Sequence, residues 1–125
     1  MKQILLSLML AFSVASCQET AATGYEDLDN KNFLKKMGDP GIVLLDVRTA
    51  DEFVRGHIPD AINLDFYDPN FKTDLKKLDK DKSYLIYCAA GGRSKKTSRL
   101  LRDNGFDSVY NLQNGFNNWD GPRQK

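Results

Sequence analysis

Histidine is nearly absent from this chain: His57 is its only one, and cysteine occurs just twice, at Cys17 and Cys88. So few soft ligands exclude a His/Cys metal centre, and no metal or other cofactor is expected. Two cysteines also cannot build a disulfide framework. An excess of either charge is missing as well, since 18 basic residues face 17 acidic ones. A basic footprint for nucleic acid is therefore lacking. No apolar run reaches the roughly 20 residues that a spanning helix needs, so a permanent transmembrane segment is the weaker reading. There are no internal repeats and no low-complexity tracts. What remains is 125 residues, 41% hydrophobic and 28% charged. That is enough apolar material for the core of one soluble domain, and it argues against global disorder.

The N-terminus, MKQILLSLMLAFSVASCQE, has the layout of an export signal. Lys2 supplies a positive start, Ile4–Val14 an apolar stretch of 11 residues, and Ala15 and Ser16 a small-residue exit. The tail Val14-Ala15-Ser16-Cys17 resembles a bacterial lipobox, which implies lipidation of Cys17 and cleavage before it. The expected organisation is a signal peptide over 1–16, a lipidated N-terminus and linker over 17–24, and a folded domain over 25–121. The acyl chains would hold the domain at a membrane, in the bacterial cell envelope and facing the periplasm or exterior. Cys88 would then be the only free thiol.

Within the folded part, short strands alternate with short helices. Strands are expected near Tyr25–Leu28, over the apolar run Ile42–Val47, at Ala61–Leu64, over Tyr84–Cys88 and in DSVYNL. Helices are expected over Asn30–Met37 with Asp29 as N-cap, and in TADEFVRG with Thr49 and Glu52 forming a capping box. A further helix carries Phe71, Leu75 and Leu78 on one side. GRSKKTSRLLRDNG forms another, closed by Gly105, and GFNNWDG a last short one bearing Trp119. Strands apolar on both faces, joined by helices, predict an α/β domain with a mainly parallel sheet and helices on both faces. Ligand sites in such sheets lie past the carboxyl ends of the strands.

Cys88 sits at such an end, followed by Ala89, Ala90, Gly91, Gly92, Arg93 and Ser94 and then a helix. Residues this small let successive N–H groups turn inward as an anion nest. The helix start adds its positive dipole end, and Arg93 adds a cation. All three favour negative charge on the sulfur, the form in which cysteine is a nucleophile. The competing reading is an inert packing cysteine, which has no use for two glycines and an arginine. The cluster Arg93, Lys95, Lys96, Arg99 and Arg102 reads equally as a solvated helix face or a substrate-facing patch.

The segment CAAGGRS resembles the active-site loop of single-domain rhodaneses, sulfurtransferases of the thiosulfate type. Residues 44–66, LLDVRTADEFVRGHIPDAINLDF, and the closing NGFDSVYNLQNGFNNW resemble two further stretches of the same family. The likeness spans about residues 25–120. It implies that Cys88 attacks the outer sulfur of a donor such as thiosulfate, becomes a persulfide, and passes that sulfur to cyanide or a thiol. The loop from Ala89 to Ser94 would hold the persulfide, and Arg93 would orient the donor. His57, Asp46 and Arg48 are expected to be structural. Small sulfur donors and acceptors are the expected partners, without nucleic acid, for a protein expected to be a monomer.

The sequence departs from the family pattern at Asp60 and Asn114, which stand where glycine is usual; both are residues that tolerate positive φ. Thr97 and Ser98 replace alanines, with hydroxyls able to bond back along the helix. Two alternatives remain. One is a sulfur carrier or docking module without turnover. The other is a cysteine-dependent phosphatase or arsenate reductase on the same fold, but such phosphatases place one residue more between cysteine and arginine than the four found here.

Overall fold

The computed structural model describes residues 24–125; the expected signal peptide, Cys17 and all but the last residue of the linker lie outside them. Five strands form one sheet: β1 (Glu26–Leu28), β2 (Ile42–Asp46), β3 (Ile62–Asn63), β4 (Ser83–Tyr87) and β5 (Val109–Leu112), in the order β1-β5-β4-β2-β3. Every pairing in the sheet is parallel. The connecting helices are α1 (Asn30–Lys36), α2 (Ala50–Val54), α3 (Phe71–Lys76) and α4 (Gly92–Asp103), with a closing 3₁₀ turn at Phe116–Asn118.

The helix starts follow from local chemistry. The Asp29 carboxylate accepts from the Asn32 N–H at 2.9 Å. Thr49 and Glu52 form the reciprocal capping box. Strands β2 and β4 are central and covered on both faces, so their residues divide between two cores. Leu45, Ile86 and Val47 pack with Phe71, Leu75, Leu101 and Phe106 on one face. Leu44, Leu85 and Tyr87 pack with Phe33, Ile58, Phe116 and Trp119 on the other. Leu78 lies beyond the end of α3 but still packs on the first core.

Three local expectations are corrected. The final helix is a three-residue 3₁₀ turn, with Trp119 as its cap and i→i+3 bonds from Asn118 to Gly115 and from Trp119 to Phe116. β3 has only two paired residues; beyond them the Leu64 N–H still donates to the Asp46 carbonyl and the Phe66 N–H to the Val47 carbonyl, and the Asn63 amide adds bonds to the Asp46 and Arg48 carbonyls. Asp60 does take positive φ, at 68°, but Asn114 does not. The left-handed position falls one residue later, on Gly115.

Candidate active site

Strand β4 ends at Tyr87 and delivers Cys88 to the carboxyl edge of the sheet, where α4 begins. Cys88 is 1% exposed. Its Sγ accepts from the Gly91 N–H at 3.1 Å and the Ser94 N–H at 3.4 Å, and lies 3.3 Å from Ser94 Oγ. Ser94 Oγ also donates to the Gly91 carbonyl at 3.1 Å. The expected nest is therefore real, and Gly91 and Ser94 supply its contacts to the sulfur. Ala89 is half-buried, while Ala90 and Gly92 are exposed. Side chains no larger than methyl leave nothing bulky from the loop over the thiol.

The bend depends on two glycines. Gly91 caps α4 at φ 100°, and a Cβ there would lie 2.6 Å from the Gln113 carbonyl oxygen. Gly115 has φ 73°, and its Cβ would overlap the Ala89–Ala90 peptide. Beside Gly115, the Phe116 N–H donates to the Cys88 carbonyl at 2.8 Å and the Asn117 N–H to the Ala89 carbonyl at 3.0 Å. The 3₁₀ turn thus holds the cysteine loop by its backbone. Behind the loop, α4 carries the Thr97 and Ser98 hydroxyls bonded back to the Arg93 and Ser94 carbonyls, as expected.

Arg93 is not free. Its Nη1 lies 2.8 Å from Glu52 Oε1 and its Nη2 3.1 Å from Glu52 Oε2, a bidentate pair across 41 residues of sequence. The guanidinium also lies 5.7 Å from the centre of the exposed Tyr67 ring. Arg93 is held above the usual arginine range, first by its hydrogen bonds to Glu52, against the opposing effect of burial. The Glu52 carboxyl falls from 4.5 to about 2, chiefly through Arg93, against the opposing effect of burial and with help from Thr49. Glu52 was legible in the sequence only as a capping residue. Its second carboxylate oxygen was the available hint of a further partner, but not of which one.

That shift makes stability depend on pH. A carboxyl with a depressed pKa stabilises the fold fully above its unfolded value near 4.5, and that contribution is lost as pH falls through about 2. Both side chains are partly solvated, so the gain is about 1–2 kcal/mol. Urea unfolding should show wild type ahead of Glu52→Gln by that margin at pH 7, with the gap closing toward pH 2. A gap constant with pH would contradict the assignment.

His57 is held against Phe53. It is 8% exposed, stacks on Phe53 at 3.8 Å, and its Nδ1 lies 3.0 Å from the Phe53 carbonyl, an acceptor that requires a proton on that nitrogen. Asp46 and Arg48 form a buried ion pair with Nη2–Oδ2 at 2.6 Å, and Arg48 also donates to the Gly56 carbonyl. Both readings as structural groups agree with this geometry. In the basic cluster, Arg102 binds the Phe106 and Asp107 carbonyls, while Lys95, Lys96 and Arg99 are exposed. Among the described residues, no group of three His, Cys, Asp or Glu side chains is placed to hold a metal, and no helix is long and apolar enough to cross a membrane.

Comparison with known proteins gives a consistent picture. Residues 29–121 match the Rhodanese-like domain family. A "Thiosulfate sulfurtransferase GlpE" from Pseudomonas savastanoi pv. phaseolicola is 36% identical over 81 residues, covering 65% of this chain and 74% of that protein. A "Sulfurtransferase" from Allochromatium vinosum is 30% identical over 94 residues, 74% of this chain and 86% of that one. Among solved structures, a Staphylococcus saprophyticus protein superposes with a TM-score of 0.68 at 26% identity, covering 80% of this chain and 99% of its own.

Proposed function

Because the chain belongs to the rhodanese-like domain family, we propose that it is a sulfurtransferase that moves a sulfane sulfur from thiosulfate or a persulfide to a thiophilic acceptor, through a persulfide on Cys88. The observation that carries this reading is the convergence of the Gly91 and Ser94 amides and the Ser94 hydroxyl on one buried sulfur.

With thiosulfate, the Cys88 thiolate attacks the outer sulfur, the S–S bond of the donor breaks, and sulfite leaves with the bonding pair. Cys88–S–S⁻ remains. Cyanide or an acceptor thiolate then takes the terminal sulfur and returns Cys88 as a thiolate. The leaving groups are already stable anions, so no general acid is needed. Preorganised amides suit both anionic states of the sulfur. Ser94 serves either protonation state. With a thiol, S–H donates to Oγ while Oγ–H bonds the Gly91 carbonyl. With an anion, the hydroxyl proton turns to the sulfur.

Only four residues separate Cys88 from Arg93, one fewer than phosphatases of this fold place there, and this speaks against the phosphatase alternative. Turnover with a small donor and acceptor separates an enzyme from a carrier. The lipid anchor at Cys17 would place the reaction at the envelope membrane.

Intact-protein mass spectrometry tests the proposal. Wild type incubated with thiosulfate should gain one sulfur atom, lose it on adding cyanide, and release thiocyanate, while Cys88→Ser should gain none. A wild-type thiol that remains alkylatable yet takes up no sulfur from thiosulfate or a persulfide would refute it.

A further inference from the structure

The Glu52–Arg93 pair changes the charge that a donor meets at the sulfur. The loop residues Ala89, Ala90, Gly91 and Gly92 bring no charge. Arg48 is spent on Asp46, and His57 is bonded to Phe53. Arg93 is the cation carried by the loop itself, between Gly91 and Ser94, whose amides meet the sulfur. It is matched by a carboxylate that Thr49 also fixes, through its N–H at 3.3 Å and its Oγ1 at 3.1 Å. The pair is partly shielded, with side chains 18% and 23% exposed. The sulfur pocket therefore offers dipoles, from the Gly91 and Ser94 amides, and a neutral ion pair.

We propose that Glu52 sets donor specificity: by neutralising Arg93 it makes the site favour singly charged sulfane donors, of the persulfide class R–S–S⁻, over dianionic thiosulfate. This rests on the sulfurtransferase reading of Cys88. The step balances as Cys88–S⁻ plus R–S–S⁻ giving Cys88–S–S⁻ plus R–S⁻, with one S–S bond formed and one broken. A second negative charge on the donor meets an anionic sulfur whose loop cation, Arg93, is already matched by Glu52. Repulsion between close, partly desolvated charges is large enough to dominate selectivity. Lys95, Lys96 and Arg99 are solvated and common to every variant considered, so they do not alter the comparison.

The test uses two donors of nearly one shape, thiosulfate with two charges and methanethiosulfonate with one, with thiocyanate release as the readout. Wild type should show the lower KM for methanethiosulfonate. Glu52→Gln, which keeps the capping geometry, should raise the ratio of kcat/KM for thiosulfate over methanethiosulfonate about tenfold, mainly through the thiosulfate KM. Glu52→Asp, which keeps the charge, should stay near the wild-type ratio. Asp29→Ala, which breaks the cap of α1 without a bond to the pair, should lower the thermal midpoint and leave the ratio unmoved. The proposal is overturned if wild type binds both donors equally, or if the ratio in Glu52→Gln is unchanged or falls. Should neither donor nor a persulfide load Cys88 in wild type, the sulfurtransferase reading itself fails and this inference falls with it; loading by a persulfide alone keeps that reading and overturns the charge comparison.

Discussion

Gly115→Ala is expected to be among the most damaging single-methyl changes in this protein. The added Cβ would overlap the Ala89 carbonyl and the Ala90 nitrogen, and Gly115 has φ 73°. Backbone cannot rotate away as a side chain tip can. Positive φ costs an L-residue about 1–3 kcal/mol, and overpacking adds about 1–3 kcal/mol more. Denaturant unfolding should therefore show a loss of about 2–5 kcal/mol. The functional loss should exceed what stability alone explains. The displaced Ala89–Ala90 peptide leads directly into Gly91, whose N–H points at Sγ, and a 1 Å error in a reacting group can cost about a hundredfold in rate. Stopped-flow sulfur loading on the folded fraction measures this. Gly92→Ala is the stability control, since a Cβ there meets nothing within 4 Å. Equal stability of the two variants would contradict the steric argument.

Arg48→Met is expected to have a comparable effect on stability by another route. It removes the guanidinium but not the Asp46 carboxylate, which is 0% exposed and would keep the residue-48 backbone N–H, now at 2.9 Å, and the Tyr87 phenol as neutral partners, with no counter-charge. An orphaned buried charge costs about 3–5 kcal/mol. Part of the loss is packing, because Arg48 stacks 4.2 Å from the centre of the Phe116 ring. Phe116 thus links the ion pair to the cysteine loop, since the Phe116 N–H holds the Cys88 carbonyl. The double variant Asp46→Asn with Arg48→Met should recover a substantial part of the loss, because no buried charge then remains unpaired. Thermal and urea unfolding of the two singles and the double complete the cycle. Simple additivity would contradict a coupled pair.

Most local structure was legible because its causes are local. The Asp29 and Thr49 caps act over three residues, and the apolar runs at 42–47 and 84–88 read directly as covered strands. Cys88 stood out because small residues, glycine and a helix start follow it without a gap. The misjudged details came from tertiary demands. Asn114 escaped positive φ because Gly115 took it, at the point where the 3₁₀ turn meets Ala89. β3 narrowed to two paired residues at the edge of the sheet, a tertiary position that the run 61–64 does not record.

By itself the sequence determined the class of fold and the order of its elements, and singled out Cys88 as the candidate nucleophile, since each follows from periodicity, capping and contiguous chemistry. Only the tertiary structure decided that Arg93 is neutralised by Glu52, that Phe116 and Asn117 hold the cysteine loop by its carbonyls, and that strand β5 lies between β1 and β4. These contacts join residues tens of positions apart. Their partners are chosen by how the packed sheet brings its carboxyl edge together, which no neighbour along the chain records.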